Sequence, residues 1–250
     1  MEKKRLVVLT GAGMSAESGI STFRDNGGLW DRYNVEDVAT PEGWIRDPEM
    51  VTEFYNIRRK ELQNVEPCHG HTLLALLEEF YDVYIITQNV DNLHERAGSS
   101  NVLHLHGELM KVTSSDNPND ESQIIELDTD HLEIEYGEEA PDGSPLRPYI
   151  VWFGESVPNI DVAADICSNA DIMLVVGTSL NVYPAAGLTN CAPPDIPIYL
   201  VDPASVRWNS QSKVHHIQMG ASKGIAEFIK ITSEIGKRMH DNGLQFAYHN

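Results

Sequence analysis

Val7-Val8-Leu9-Thr10-Gly11-Ala12-Gly13-Met14-Ser15-Ala16 reads as a strand, a glycine turn and the start of a helix. Leu6–Leu9 is apolar throughout, which suits a parallel strand covered on both faces rather than one with a wet side. Glycines at 11 and 13 let the backbone approach a pyrophosphate, and a helix start beyond them offers free N–H groups and a partial positive charge. A lone Gly-x-Gly occurs in many turns, and its place after the first strand is what gives it weight. The dehydrogenase fingerprint wants a third glycine where Ala16 stands, and an acidic residue closing a second strand about 20 residues on. Both are missing, so hydride transfer becomes the weaker reading of this loop.

Similar apolar runs recur outward from that point: Val83–Ile86 before Thr87-Gln88-Asn89, Ile172–Val176 before Gly177-Thr178-Ser179, Ile198–Val201 before Asp202-Pro203, and Val214–Ile217. Between them lie helical candidates at Met50–Leu62, His71–Phe80, Val162–Ala170 and Ala221–Lys237. In the last, Ile225, Phe228 and Ile229 fall at i, i+3 and i+4, a core-facing stripe. The alternation predicts an α/β fold with a doubly wound, Rossmann-like parallel sheet. Two stretches break the pattern, about 27–70 with aromatics at helical spacing and about 111–147, polar and acidic. They are expected to form a smaller inserted module. The Rossmann-like part would then cover about 1–26, 71–110 and 148–250 of a single catalytic domain spanning 1–250.

The 250 residues are 41% hydrophobic and 22% charged, an ordinary balance for a soluble globular protein. Eighteen Lys and Arg against thirty-eight Asp and Glu give a net charge of −20. That field repels phosphate backbones and argues against nucleic acid as a partner. No apolar run has the length of a membrane span, and Leu6–Leu9 is too short for a signal peptide. Cys68, Cys167 and Cys191 are scattered, which fits a reducing compartment and a cytoplasmic location. Oligomeric state is left open.

In open α/β sheets ligands sit beyond the carboxyl ends of the strands. The polar clusters expected there are Gln88-Asn89-Val90-Asp91, His104-Leu105-His106-Gly107, Gly177-Thr178-Ser179 and Asp202. They supply amide, carboxylate, imidazole and hydroxyl groups without one strong nucleophile, which suits ribose binding and proton movement better than a Ser or Cys hydrolase. Glu17-Ser18-Gly19-Ile20-Ser21-Thr22-Phe23-Arg24-Asp25, flanked by glycine pairs, can form a flap with Phe23 and Arg24 facing a ligand, although taken alone Phe23 reads better as core and Arg24 as a surface ion pair.

On these residues the chain resembles the sirtuin family. Gly11–Ile20 with Thr22-Phe23-Arg24 is similar to its first signature, Thr87–His94 to the second and Leu105-His106-Gly107 to the third. Val151-Trp152-Phe153-Gly154-Glu155 and Val176-Gly177-Thr178-Ser179 are similar to the fourth and fifth. The motifs run in family order from residue 7 to residue 222. The resemblance implies an NAD-dependent protein-lysine deacylase, with Gly11, Ala12, Gly13, Ser15, Phe23, Arg24, Gln88, Asn89, Asp91, Gly177, Thr178, Ser179, Asp202 and Ala221 at the cofactor. It implies His106 as general base, although a histidine taken alone is more often structural. The acyl oxygen of a modified lysine would attack C1′ of the ribose as nicotinamide leaves, and His106 would activate a ribose hydroxyl. Products would be nicotinamide, O-acyl-ADP-ribose and free lysine. The partner would be an acylated lysine peptide or protein, added as a strand between Val151, Phe153, Gly154 and Glu155 on one side and Val182 and Tyr183 on the other.

Tyr55 and Arg58 fall at i and i+3 of one helix and share a face. A phenol beside a guanidinium makes a receptor for a carboxylate, because the planar fork can hold both oxygens, although most such pairs are a core aromatic next to a solvated arginine. The pair resembles the feature of sirtuins that remove succinyl, malonyl and glutaryl groups, so activity on acetyl and acidic acyl chains is expected. Two departures stand out. Most of the family holds a structural zinc on two Cys-x-x-Cys pairs, whereas residues 107–150 contain no cysteine. The matching places read Thr113-Ser114-Ser115-Asp116 and the acidic stretch from 128 to 142, and no metal is expected. Leu200-Val201-Asp202-Pro203 also replaces a common Asn-x-Glu near the adenosine ribose. The rivals are mono-ADP-ribosyl transfer from the same NAD site, a non-catalytic NAD-binding module, and the weakened dehydrogenase.

Overall fold

The computed structural model describes residues 3–20, 32–178, 185–205 and 214–232. Its strands are β1 (Arg5–Thr10), β2 (Asp82–Thr87), β3 (Val102–His104), β4 (Gly107–Ser114), β5 (Ile125–Glu126), β6 (Leu146–Ile150), β7 (Ile172–Val176), β8 (Ile198–Val201) and β9 (Val214–Ile217). Its helices are α1 (Ala12–Ser15), α2 (Val35–Val38), α3 (Pro41–Arg46), α4 (Pro48–Gln63), α5 (His69–Leu77), α6 (Leu93–Arg96), α7 (Ile160–Ser168) and α8 (Ala221–Ile231). Six strands form a parallel sheet in the order β3-β2-β1-β7-β8-β9, and three form a separate antiparallel sheet, β5-β4-β6. This is the expected doubly wound α/β architecture with a small sheet beside it.

The apolar runs work because successive side chains take opposite faces. Leu6, Val8, Leu174 and Val176 join Leu74, Leu77, Ile225, Phe228 and Ile229 under α5 and α8. Val7, Leu9, Met173 and Val175 join Ala163, Cys167 and Leu188 under α7 and the 3₁₀ turn at Ala185–Asn190. Each such fully buried aliphatic side chain contributes about 1.5–3 kcal/mol relative to exposure. Local signals then fix the helix starts. Thr40 Oγ1 accepts the Gly43 N–H at 3.0 Å ahead of α3, and Asp47 Oδ1 accepts that of Met50 at 3.0 Å ahead of α4. Both helices place proline in their first turn.

Two expectations need adjustment. The helix after the glycine turn is a single turn, α1, followed by a 3₁₀ turn that closes on Gly19 at φ +93°. Only glycine adopts that backbone cheaply, so the chain turns away instead of continuing. α5 ends at Leu77, short of Phe80, its last residues passing into turns. The expected extension of α8 from 233 to 237 and the flap residues 21–25 lie outside the described residues.

β4 is held against α4 by a shared cluster that includes Val51, Phe54, Leu62, Leu109, Ile150 and Trp152. Asn56 on α4 clasps the backbone of Ile134 in both directions, Nδ2 to the carbonyl at 2.8 Å and the Ile134 N–H to Oδ1 at 3.2 Å. The buried Arg59 adds Nε to the Leu109 carbonyl at 2.8 Å. At the far end of β4, Ser114 Oγ donates to Asp142 Oδ2 at 2.7 Å. Asn117 Nδ2 meets the same oxygen at 2.9 Å, and the Ser144 hydroxyl and N–H meet Asp142 Oδ1 at 2.7 and 3.0 Å. These donors, Asn117 and Ser114 first, hold the Asp142 carboxyl well below the usual carboxylate range. A lowered folded-state pKa stabilises above the unfolded value and is lost as pH falls toward the folded one. Asp142→Asn is therefore expected to lower the thermal midpoint at pH 7 and to narrow the gap from wild type on acidification, both read by calorimetry.

Gly107 carries the chain from one sheet to the other at φ +80°, and an added Cβ would lie 2.1 Å from the Tyr149 carbonyl oxygen. Backbone strain and a rigid clash act together there. Gly107→Ala is expected to cost on the order of 2–4 kcal/mol in urea unfolding.

Candidate active site

The strand register sets the site. Thr10 pairs with Thr87 and Thr87 with His104 on one side; on the other, Thr10 pairs with Val176, Val176 with Val201 and Val201 with Ile217. All six strands thus end in one row, from which Gly11, Gln88, Leu105, Gly177 and Asp202 depart. The chain reverses its order of winding between β1 and β7, and such a switch point opens a crevice for ligands. There the two glycine segments interlock: Gly11 N–H donates to Val176 O at 3.1 Å and Gly13 N–H to Gly177 O at 2.8 Å. A Cβ on Gly13 would lie 2.8 Å from Gly177 Cα, and one on Gly177, at φ +62°, 2.3 Å from Met14 N. The turn is closed to any larger residue at these positions.

Ser15 is the centre of a buried polar knot. Its Oγ donates to Asp91 Oδ2 at 2.9 Å and accepts Asn89 Nδ2 at 3.0 Å. Gln88 Nε2 donates to Thr178 Oγ1 at 3.1 Å, joining the β2 and β7 loops. Burial is the largest influence on Asp91 and raises its pKa, against the hydrogen bonds from Ser15 and Leu93. His106 occupies the bend between β3 and β4, half-buried, with Nδ1 3.0 Å from the Gln88 carbonyl oxygen. A carbonyl only accepts, so Nδ1 carries the hydrogen and neutral His106 presents Nε2 as a base. Burial pushes its pKa below the ordinary value, with the Gln88 bond opposing. The imidazole is therefore neutral at pH 7 and able to take a proton.

Tyr55 is fully buried on α4, its hydroxyl accepting Trp152 Nε1 at 3.1 Å. Arg58 places its guanidinium carbon 5.9 Å from the Tyr55 ring centroid, as helical spacing requires. Burial lowers the pKa of Arg58, opposed by the charges of Tyr55 and then Asp91. Arg58 thus lies within reach of the charge of Asp91, a member of the Ser15 knot. Val151 N–H bonds the His106 carbonyl at 3.0 Å, Phe153 N–H that of Ala39 at 2.9 Å and Glu155 N–H that of Trp152 at 3.0 Å. Phe153 and Gly154 are exposed, Gly154 at φ +94°. Asp202 Oδ1 accepts the Ala204 N–H at 2.8 Å, so part of its carboxylate closes its own turn. Ala221 is buried at the start of α8. Ala12 is exposed on the glycine turn. Phe23, Arg24, Ser179, Val182 and Tyr183 lie outside the described residues.

Several residues quoted only as members of longer motifs have contacts that residue type did not reveal. Among the described residues, Asn92 Oδ1 and Ser18 Oγ are buried oxygens without a partner, and an amide or ribose hydroxyl would satisfy them. With the closed glycine turn and the second amide hydrogens of Gln88 and Asn89, they make a set that fits a dinucleotide. Glu17 Oε1 lies 3.3 Å from the Ser222 N–H, tying the glycine loop to α8. His104 bonds the Asn89 carbonyl at 3.0 Å and Glu95 Oε1 at 2.8 Å. Burial works to lower its pKa, but Glu95 outweighs that and raises it. His71 and His94 are buried against each other, with burial holding His71 down to about 4. Among the described residues, no cluster of three His, Cys, Asp or Glu could hold a metal, and no helix is long and apolar enough to cross a membrane.

A glycine turn at the switch point of a doubly wound sheet, with an amide and carboxylate knot beside it, is the architecture of a nucleotide-binding α/β protein. The chain belongs to the Sir2 family, the sirtuins, whose model matches residues 11–184. It is 58% identical over 224 residues to a Bacteroides thetaiotaomicron protein named NAD-dependent protein deacylase, covering 90% of this chain and 96% of that one. A Helicobacter pylori protein of the same name is 48% identical over 86% of this chain and 95% of its own length. Among solved structures, a Sir2 homologue–NAD complex is 37% identical with a TM-score of 0.82, covering 95% of this chain and 91% of that one.

Proposed function

We propose that this Sir2-family enzyme, an NAD-dependent protein deacylase, removes both acetyl and acidic acyl groups, succinyl and malonyl among them, from lysine side chains. The observation that carries the mechanism is the His106–Gln88 hydrogen bond. It leaves Nε2 as a base beside the Gln88 loop, whose next residues, Asn89 and Asp91, converge on Ser15. When bound, NAD supplies a ribose carbon made electrophilic by loss of nicotinamide. The glycine turn, Ala12, Ser15, Gln88, Thr178 and Asp202 would hold it, together with Phe23, Arg24 and Ser179. Asn89 and Asp91 would lie at the nicotinamide and its ribose. His106 would withdraw a proton from a ribose hydroxyl, and no side-chain nucleophile is required. Tyr55 and Arg58 would receive the carboxylate of an acidic acyl chain, and Val151, Phe153, Gly154 and Glu155 would line the peptide opposite Val182 and Tyr183.

We also read residues 27–70 and 111–147 as one small metal-free module, supported by the α4–β4 packing and by the Asp142 hydrogen bonds. Metal analysis of purified protein should then find no stoichiometric zinc. Mass spectrometry of acetyl-, succinyl- and malonyl-lysine peptides with and without NAD tests the acyl range directly. Conversion confined to the acetyl peptide would remove the acidic part of the reading.

A further inference from the structure

The hydrogen bond that fixes the Tyr55 phenol comes from a residue 97 positions away, Trp152, whose Nε1 donates at 3.1 Å. A phenolic hydrogen lies near the ring plane, so it has two favoured orientations. One would bring it against the indole N–H; the other aims it away. With the oxygen accepting from Trp152, the hydrogen is turned outward and is available to an acceptor on the face Tyr55 shares with Arg58. The indole is in turn gripped from behind. The Arg147 guanidinium carbon lies 3.4 Å from the Trp152 ring centroid. Arg147 spans both oxygens of Glu155, at 2.7 and 3.1 Å, and donates to the Ile150 carbonyl at 2.9 Å. Glu155 Oε2 also accepts the backbone N–H of Trp152 at 2.7 Å. Arg147 and Trp152 are both buried, which strengthens the ion pair and the cation–π contact alike.

We infer that Trp152 is a specificity-positioning residue: it orients the Tyr55 hydroxyl toward a carboxylate-bearing acyl chain, and Arg147 with Glu155 holds the indole in place for that task. An acetyl group carries no carboxylate and needs no such donor, so Trp152 should matter to acidic acyl chains and little to acetyl. The inference rests on Tyr55 and Arg58 being the acyl-carboxylate receptor.

The test is a double-mutant cycle of Trp152→Phe and Tyr55→Phe, reading kcat/KM on succinyl- and acetyl-lysine peptides of one sequence. Trp152→Phe is expected to lower the succinyl-to-acetyl ratio roughly tenfold, as loss of one hydrogen bond to a charged group would. It should add almost nothing in a Tyr55→Phe background. An indole with a purely structural role would lower both activities together and leave the ratio unchanged. If Tyr55→Phe lowers the ratio and Trp152→Phe does not, Trp152 has no such role while the receptor reading stands. If neither changes it, the receptor reading fails as well. Arg147→Lys, which keeps a charge beside Glu155 but loses the fork, serves if Trp152→Phe does not fold. It should lower the ratio in the same direction, and an unchanged ratio would overturn the role.

Discussion

His106→Tyr is expected to reduce NAD-dependent turnover by about 10²–10⁴-fold on every acyl peptide, the usual contribution of a positioned general base. His106 is half-buried in a two-residue bend, so the fold should survive and the thermal midpoint should stay close to wild type. The pH profile carries a second part of the same expectation. The proposed mechanism needs the neutral imidazole, and burial lowers the His106 pKa from its ordinary value of about 6.5. Lowering the pKa keeps the base form populated further into acid. The acidic limb of kcat/KM should therefore have its midpoint below that of a free imidazole and be absent from whatever activity His106→Tyr retains. A midpoint at or above the ordinary value would mean that another group governs the limb.

The second large effect is expected from Tyr55→Phe/Arg58→Met. Two charge-assisted hydrogen bonds to the acyl carboxylate are lost, each worth about 1.5–3 kcal/mol, so succinyl turnover should fall by about a hundredfold or more. Acetyl turnover should fall far less. Tyr55→Phe also strands the buried Trp152 N–H, at a stability cost of about 1–3 kcal/mol. Arg58→Met alone is thus the cleaner single variant, and the comparison should be run well below the melting transition. Equal loss of succinyl and acetyl turnover would contradict the receptor assignment.

Much of the sheet was legible because continuous apolar runs belong to strands covered on both faces, and every flanking polar cluster fell at the same end of the sheet. β3 was visible only through its Leu-His-Gly exit, since three residues, the last a histidine, make no apolar run. Tyr55 and Arg58 were legible as a pair because helical spacing is local. The partners that give the site its chemistry were not. The Gln88 carbonyl that sets the His106 tautomer is a backbone group and leaves no mark in residue type. Asn89 and Ser15 stand 74 positions apart, and Tyr55 and Trp152 97. Ser114, Asn117, Asp142 and Ser144 read in sequence only as a polar stretch without cysteine; the fold turns them into a hydrogen-bonded knot. The one-turn length of α1 depended on a positive φ at Gly19, which the residue type permits but does not require.

The most direct measurement follows the acyl group. Incubation of a succinyl- or acetyl-lysine peptide with NAD, read by mass spectrometry, should yield equal amounts of free lysine peptide, nicotinamide and O-acyl-ADP-ribose, with about 10²–10⁴-fold slower formation of O-acyl-ADP-ribose by His106→Tyr. ADP-ribose retained on a protein or peptide target, without O-acyl-ADP-ribose in solution, would contradict acyl transfer to the ribose.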